Sequence, residues 1–220
     1  MPSSHEQAPS VTPCHDDPDQ RVAAILDVVP SDLRQPYDMH ELVALLADED
    51  SVLELKPHFD GSLITALVRV VCYSIGIVAN NPMVNAGAMG PGACEKATSF
   101  ICTCDSFHIP LLFLHDTPGF MLCLEAEQRK MPIQIMRFID ALHHCTVPRV
   151  SVIIRKSYGM AHFNMSGGRM LSDALLAWPG ADISFMAPEV AVNVMHGRRS
   201  KAEQEARLAE LRHASEPWAA

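Results

Sequence analysis

The sequence has no apolar run near the roughly 18 residues that a membrane-spanning helix needs. It has no extended block of Lys and Arg. Its 17 basic residues face 26 acidic ones, a formal charge of −9, and a chain without clustered cations is a poor binder of nucleic acid. Neither GxGxxG nor a P-loop sequence occurs, so nothing supports a nucleotide cradle. The 11 His residues show no HExxH or paired-carboxylate spacing, and no metal site is expected. There is no GxSxG elbow to make His115-Asp116 part of a nucleophilic triad. Met1–Ser10 is polar and contains Glu6, unlike a signal peptide; a cytoplasmic location is the expectation.

What remains is a globular composition, 48% hydrophobic and 20% charged over 220 residues. That length can bury a core without disulfides or metals. With aromatics at 6% and 12 Met, the core is expected to pack small aliphatic side chains and Met. The seven Cys are odd in number and irregular in spacing, and Cys102-Thr103-Cys104 is not CxxC; buried free thiols are expected. Residues 1–20, rich in Pro, Ser and Asp, read as a disordered leader, and residues 21–220 as a single domain.

Along that domain, Asp38 with Glu41 three residues on predicts a capped helix carrying Leu42, Val43, Leu45 and Leu46. Strands are expected over 52–55, 63–71 and 74–79, then a Gly-containing loop over 85–92 and a helix over 93–106 with Ala97, Phe100, Ile101 and Cys104 on one face. Residues 110–115 form a continuous apolar strand of the kind covered on both faces. A helix over 125–144, bent near Pro132, a strand over 149–154, a turn over 155–161, a helix over 162–169 and a charged helix over 199–213 complete the pattern. Alternating strand, loop and helix predict an α/β fold with right-handed crossovers.

Three loops follow apolar strands and precede helices: 85–92, 116–124 and 155–161. Ligands of layered α/β folds bind at such strand ends. In the last loop, Gly159 allows an unusual backbone angle, and the N–H groups of Met160 and Ala161 suit a developing oxyanion; Gly159 is otherwise a turn residue. Adjacent strand residues face opposite ways, so His115 and Asp116 suit packing or hydrogen-bonding roles better than a dyad. His162, beside the loop, titrates near neutrality when unperturbed, or is simply a helix-start His.

The stretches GIVANNPMVNAGAM (76–89), FICTCDSFHIPLLFLHDTPGF (100–120), VPRVSVIIRKSYGMAHFNMSGG (147–168) and AWPGADISFMAPEVAVNV (177–194) resemble the carboxyltransferase domain of biotin-dependent acyl-CoA carboxylases. The likeness is to its C-terminal half, as in propionyl-CoA and acetyl-CoA carboxylase β-subunits and related decarboxylase α-subunits. It implies a crotonase-like spiral of repeated ββα units. It further implies a reaction in which a biotin carrier protein delivers carboxybiotin, the ureido nitrogen takes the α-proton of an acyl-CoA, and backbone N–H groups hold the oxyanions. By that resemblance Gly159, Met160 and Ala161, with His162 beside them, form the biotin-side catalytic loop. Pro118, Gly119, Phe120 and Tyr158 flank the biotin pocket, and Phe163 and Asn164 lie toward the acyl substrate.

The sequence departs from the family pattern at Met160-Ala161, where Gly-Ala or Leu-Gly is usual, at Met121–Leu124 after the PGF turn, and at Phe163, whose bulk suits a different or smaller acyl group. The family's N-terminal half and the acidic segment ending its C-terminal half have no counterpart in the sequence. The resemblance therefore implies partners: an acyl-CoA or acyl-carrier thioester, a biotin carrier protein and a CoA-binding N-half subunit. Oligomerisation is expected, with Val190, Val192, Val194 and Met195 on its apolar face. Two other readings stand beside this one. One is a stand-alone crotonase-fold decarboxylase, cyclase or hydratase using His162 or His115 for acid–base chemistry; the other is a non-catalytic assembly module.

Overall fold

The computed structural model describes residues 2, 4–9, 11, 22–168, 170, 172–196 and 201–215. Most of the expected leader lies outside them. A seven-stranded sheet organises the chain, in the order β1-β2-β3-β4-β5-β6 with β7 also on β5. Strands β1 (Leu53–Glu54), β2 (Leu63–Val70) and β3 (Tyr73–Asn80) are antiparallel neighbours. From β3 onward, β4 (Leu111–Thr117), β5 (Arg149–Tyr158), β6 (Ala174–Ala177) and β7 (Asp182–Ser184) pair in parallel. The β2–β3 hairpin turns through Val71 and Cys72 at φ 49° and 71°. Both turn N–H groups donate to the Asp48 carboxylate at 2.8 Å.

Helices α1 (Val22–Val28) and α2 (Met39–Leu46) cover one face, and α3 (Pro91–Ser106) and α5 (Met131–His144) the other. Asp38 caps α2 as expected, accepting from the His40 N–H. On β4, Phe113 packs with Phe100, Phe138 and Leu142, while the next residue, Leu114, packs with Leu42, Ile64 and Ile154. An apolar run with no polar alternation is the signature of this two-sided burial.

Several elements differ from expectation. The helix expected over 125–144 is two, α4 (Leu124–Gln128) and α5, separated by Lys130 at φ 58°. Pro132 sits in the first turn of α5, where its missing N–H costs no helical bond, so it marks a start and not a bend. Strand β5 runs on to Tyr158 because its polar residues find buried partners, Arg155 on Asp116 and Ser157 on His115. Helix α6 is Gly159–Asn164, and α8 is Lys201–Ser215; Arg169 and residues 199–200 lie outside the described residues. Strands β6 and β7 and helix α7 (Pro188–His196) are additions to the expected pattern. On α7, Val192 points inward while Val190, Val194 and Met195 are exposed.

Of the thiols, Cys94, Cys104 and Cys145 are free and buried as expected, but Cys102 and Cys123 are free and exposed. Three residues on from the buried Ile101 and so on the same face of α3, Cys104 turns inward, while Cys102 turns to solvent. Cys72 is disulfide-bonded, against the expectation of free thiols.

Candidate active site

The parallel pairing of β4 with β5 sets Thr117 opposite Ser157. The segments leaving those strand ends, Pro118–Phe120 and Gly159–Ala161, therefore emerge side by side. The 85–92 loop is laced to the first of them: the Met89 N–H donates to the Gly119 carbonyl at 3.0 Å, and the Met121 N–H to the Met89 carbonyl at 2.9 Å. All three loops singled out in the sequence thus gather at one end of the sheet.

Gly159 starts α6 at φ 58°, and a Cβ there would meet the Phe185 carbonyl at 2.9 Å. Both constraints require glycine. Met160 and Ala161 follow in the first turn, where backbone N–H groups have no intrahelical acceptor. Met160 and Phe163 are half-exposed, whereas Ala161 and Asn164 are fully buried. The Asn164 amide donates to the Ile135 carbonyl at 3.1 Å, so this side chain ties α6 to α5 beneath the surface. Tyr158 is buried, and its hydroxyl donates to Asp182 Oδ2 at 2.7 Å. Burial, then the adjacent Asp182 carboxylate, push the phenol far above its ordinary range and keep it a donor. Pro118, Lys156, Tyr158 and Asp182 share a cleft of about 530 Å³ with Arg34 and Glu189. Open space lies in front of Gly119, where an added Cβ would meet no atom within 4 Å.

Beneath the loops lie two polar clusters. On one side of β4, Asp116 accepts from Arg155 Nε at 2.8 Å and stands 3.6 Å from Lys156 Nζ. On the other, His115 Nδ1 lies 3.0 Å from Ser157 Oγ, which lies 2.9 Å from His162 Nδ1. Adjacent His115 and Asp116 serve different faces, as strand geometry requires. Burial, reinforced by the nearby His162, pushes the His115 imidazole down to about 3. Burial alone lowers His162. Ser157 and the Asp116–Arg155 pair were not singled out in the sequence; RKSYG read as a turn. The signal within it is a run of polar residues directly after the apolar VSVII, which a strand accommodates only if they find buried partners. Among the described residues no group of three or more His, Cys, Asp and Glu is placed to hold a metal ion. Also among them, no helix is long and apolar enough to cross a membrane.

The carboxyl transferase domain profile matches residues 1–218. Among curated proteins, "Uncharacterized carboxylase YngE" of Bacillus subtilis (strain 168) is 43% identical over 175 residues, 80% of this chain and 34% of the relative. The propionyl-CoA carboxylase beta chain of Roseobacter denitrificans is 36% identical over 196 residues, 89% of this chain and 38% of the relative. Among solved structures, a transcarboxylase 12S crystal structure, a hexamer with methylmalonyl-CoA and methylmalonic acid bound, superposes with a TM-score of 0.94 at 32% identity. It covers 100% of this chain and 43% of its own. The chain thus spans a little over a third of the curated relatives it matches.

Proposed function

The chain belongs to the carboxyl transferase domain family, with a crotonase-like α/β fold, and from that premise we propose that it forms the biotin-facing half of a carboxyltransferase acting on an acyl-CoA thioester. The observation that carries the reading is the Thr117–Ser157 pairing, which aligns the Pro118–Phe120 turn with the Gly159–Ala161 loop. The first turn of α6, begun by Gly159 at φ 58°, leaves the Met160 and Ala161 amides without intrahelical acceptors, and fixed donors of this kind stabilise an oxyanion without reorganising.

These residues fit the ureido head of biotin, an uncharged bicycle with one carbonyl acceptor. Pro118, Phe120 and the half-exposed Met160 provide apolar contact, the open space before Gly119 provides entry, and the two amides match the ureido oxygen. When bound, biotin supplies the transferable carboxyl group. Tyr158, locked to Asp182, fixes the base of α6. Phe163 narrows the acyl approach and favours a short acyl group. A biotin carrier protein presents the cofactor, and the CoA-binding N-terminal half of the family fold supplies the thioester site outside these 220 residues. The exposed Phe185, Val190, Val194 and Met195 support an oligomeric assembly.

The test is transfer of labelled carboxylate from malonyl-CoA or methylmalonyl-CoA to a biotinylated carrier, with the chain assembled on an acyl-CoA-binding half. Incorporating lactic acid in place of Ala161 turns one amide into an ester, deleting the N–H without adding bulk. Turnover is expected to fall about 10²-fold or more. Undiminished transfer by the folded ester variant overturns the oxyanion assignment, and absence of any transfer by the assembled wild type overturns the function.

A further inference from the structure

Two charged side chains share one wall of the cleft beside the loops. Lys156 and Asp182 are directly paired in the parallel β5–β7 ladder, so their side chains leave the same face of the sheet, from strands about 4.8 Å apart. Both line the cleft of about 530 Å³. The Lys156 side chain is 12% exposed, and Asp182 is 7% exposed.

Each is held from one side and unsatisfied on another. The Lys156 ammonium stands 3.6 Å from Asp116 Oδ1, beyond hydrogen-bonding distance, and Asp116 already accepts from Arg155 Nε at 2.8 Å. Asp182 Oδ2 takes the Tyr158 hydroxyl at 2.7 Å, while Oδ1 has no hydrogen-bond partner among the described residues. Also among them, no ion pair joins Lys156 to Asp182. A buried carboxylate oxygen without a donor costs free energy that a bound group recovers.

The wall therefore offers a donor beside an acceptor. A carboxylate or phosphate would suit Lys156 and oppose Asp182; an ammonium would do the reverse. An open-chain secondary amide is trans, so its C=O and N–H point opposite ways and do not meet both groups from one side. A cyclic ureide carries C=O and N–H next to each other on one ring edge, which matches the pair. Leu33, Pro118 and Ala187 supply apolar surface for the ring faces.

We propose that this cleft is a cyclic-ureide site, in which Lys156 donates to the ring carbonyl and Asp182 Oδ1 accepts from the adjacent ring N–H. It is separate from the Met160 and Ala161 amides, which do not line it. Its role rests on the carboxyltransferase reading: the ring is the head of the carrier's biotin, held beside the reacting position, with Pro118 bordering both. The hold is by hydrogen bonds alone, and no covalent bond forms or breaks. One ring edge suffices, so a head carboxylated on one nitrogen still offers the other edge.

The probe is 2-imidazolidinone, the ureido ring alone, titrated into the intact chain and followed by ¹⁵N–¹H NMR. Saturable shifts are expected at the backbone amides of Lys156, Tyr158 and Asp182. Biotin methyl ester is expected to shift the same amides and to bind more tightly. Cyclopentanone, which keeps the ring size and carbonyl but has no N–H, is expected to bind about 10-fold more weakly or worse, as is 2-imidazolidinone to Lys156→Met. Cyclopentanone binding as tightly as the ureide overturns the Asp182 contact. Wild-type affinity in Lys156→Met, with its spectrum otherwise unchanged, overturns the Lys156 contact. Absence of saturable shifts at these amides overturns the site, and binding of the bare ring but not of biotin methyl ester overturns the biotin assignment. If the ureide binds here while the assembled enzyme transfers no carboxylate, the carboxyltransferase reading fails and the cleft site stands.

Discussion

Arg155 Nε donates to Asp116 Oδ2 across 2.8 Å, with both side chains sealed from solvent. The same guanidinium donates through Nη1 to the Asp32 and Gln35 carbonyls at 3.0 and 2.8 Å, and lies 4.6 Å from the Tyr37 ring centroid. One cation therefore fastens the 32–37 segment to the sheet directly below the loops.

Removing that cation should leave Asp116 buried with Lys156 alone at 3.6 Å. Breaking a buried ion pair from one side costs about 3–5 kcal/mol, so Arg155→Met is expected to lower the unfolding free energy read from urea titration by that amount, with a matching drop in the urea midpoint. Arg155→Lys should recover only part of it, because an ammonium cannot reproduce the planar fork that reaches both Asp116 and the two carbonyls. Equal midpoints for wild type and Arg155→Met would show that Lys156 already satisfies the carboxylate.

Gly159→Ala should damage activity more than folding. The left-handed backbone costs an L-residue about 1–2 kcal/mol, and the new methyl would press on the Phe185 carbonyl from 2.9 Å. The strain relaxes by moving the Met160 and Ala161 amides. Carboxyl transfer by the assembled enzyme is expected to drop about 10-fold or more while thermal unfolding shifts by only a few degrees.

Val71→Asn should stabilise the chain. Val71 is half-exposed and β-branched, yet holds φ 49° in a two-residue hairpin turn. Asn tolerates that region and is favoured in such turns. The Asp48 carboxylate still receives the backbone N–H, because that bond involves no Val71 side-chain atom. A gain of about 1 kcal/mol, or 2–4 °C in Tm, is expected in a calorimetric scan.

The sequence was most readable where burial is apolar and local. Leu63–Val70, Tyr73–Asn80 and Leu111–Thr117 declare themselves through largely apolar runs, and glycines beyond the strand ends mark the loops that gather at one end of the sheet. It was least readable where polar residues are buried by partners distant in the chain. Arg155 is matched by Asp116, 39 residues away, and Ser157 by His115, 42 residues away. The β4–β5 register also shifts between His115 and Thr117, so simple alternation along β5 does not reveal which cluster each residue joins. The strands β6 and β7 are four and three residues long, and their exposed Leu175 and Leu176 give no periodic signal. His115, His162 and Asp116 were each visible as candidates; the Ser157 bridge between the two His rings depends on register and emerges only in three dimensions.

Stability should fall below neutral pH through the same His pair. The unfolded chain protonates His near 6.5, whereas in the folded state burial lowers His162 and pushes His115 down to about 3. The unfolded state thus binds more protons between those limits, and folding stability rises with pH across the window. The contribution of His115 is fully present above about 6.5 and is lost progressively as pH drops toward 3, by up to about 1.4 kcal/mol per pH unit in the steep region. Urea midpoints measured from pH 7.5 down to pH 4.5 should decline in the wild type. The slope should be shallower in His115→Asn, which retains a polar side chain but cannot take up a proton. Parallel slopes in the two proteins would mean that His115 takes up no more protons in the unfolded chain than in the folded one.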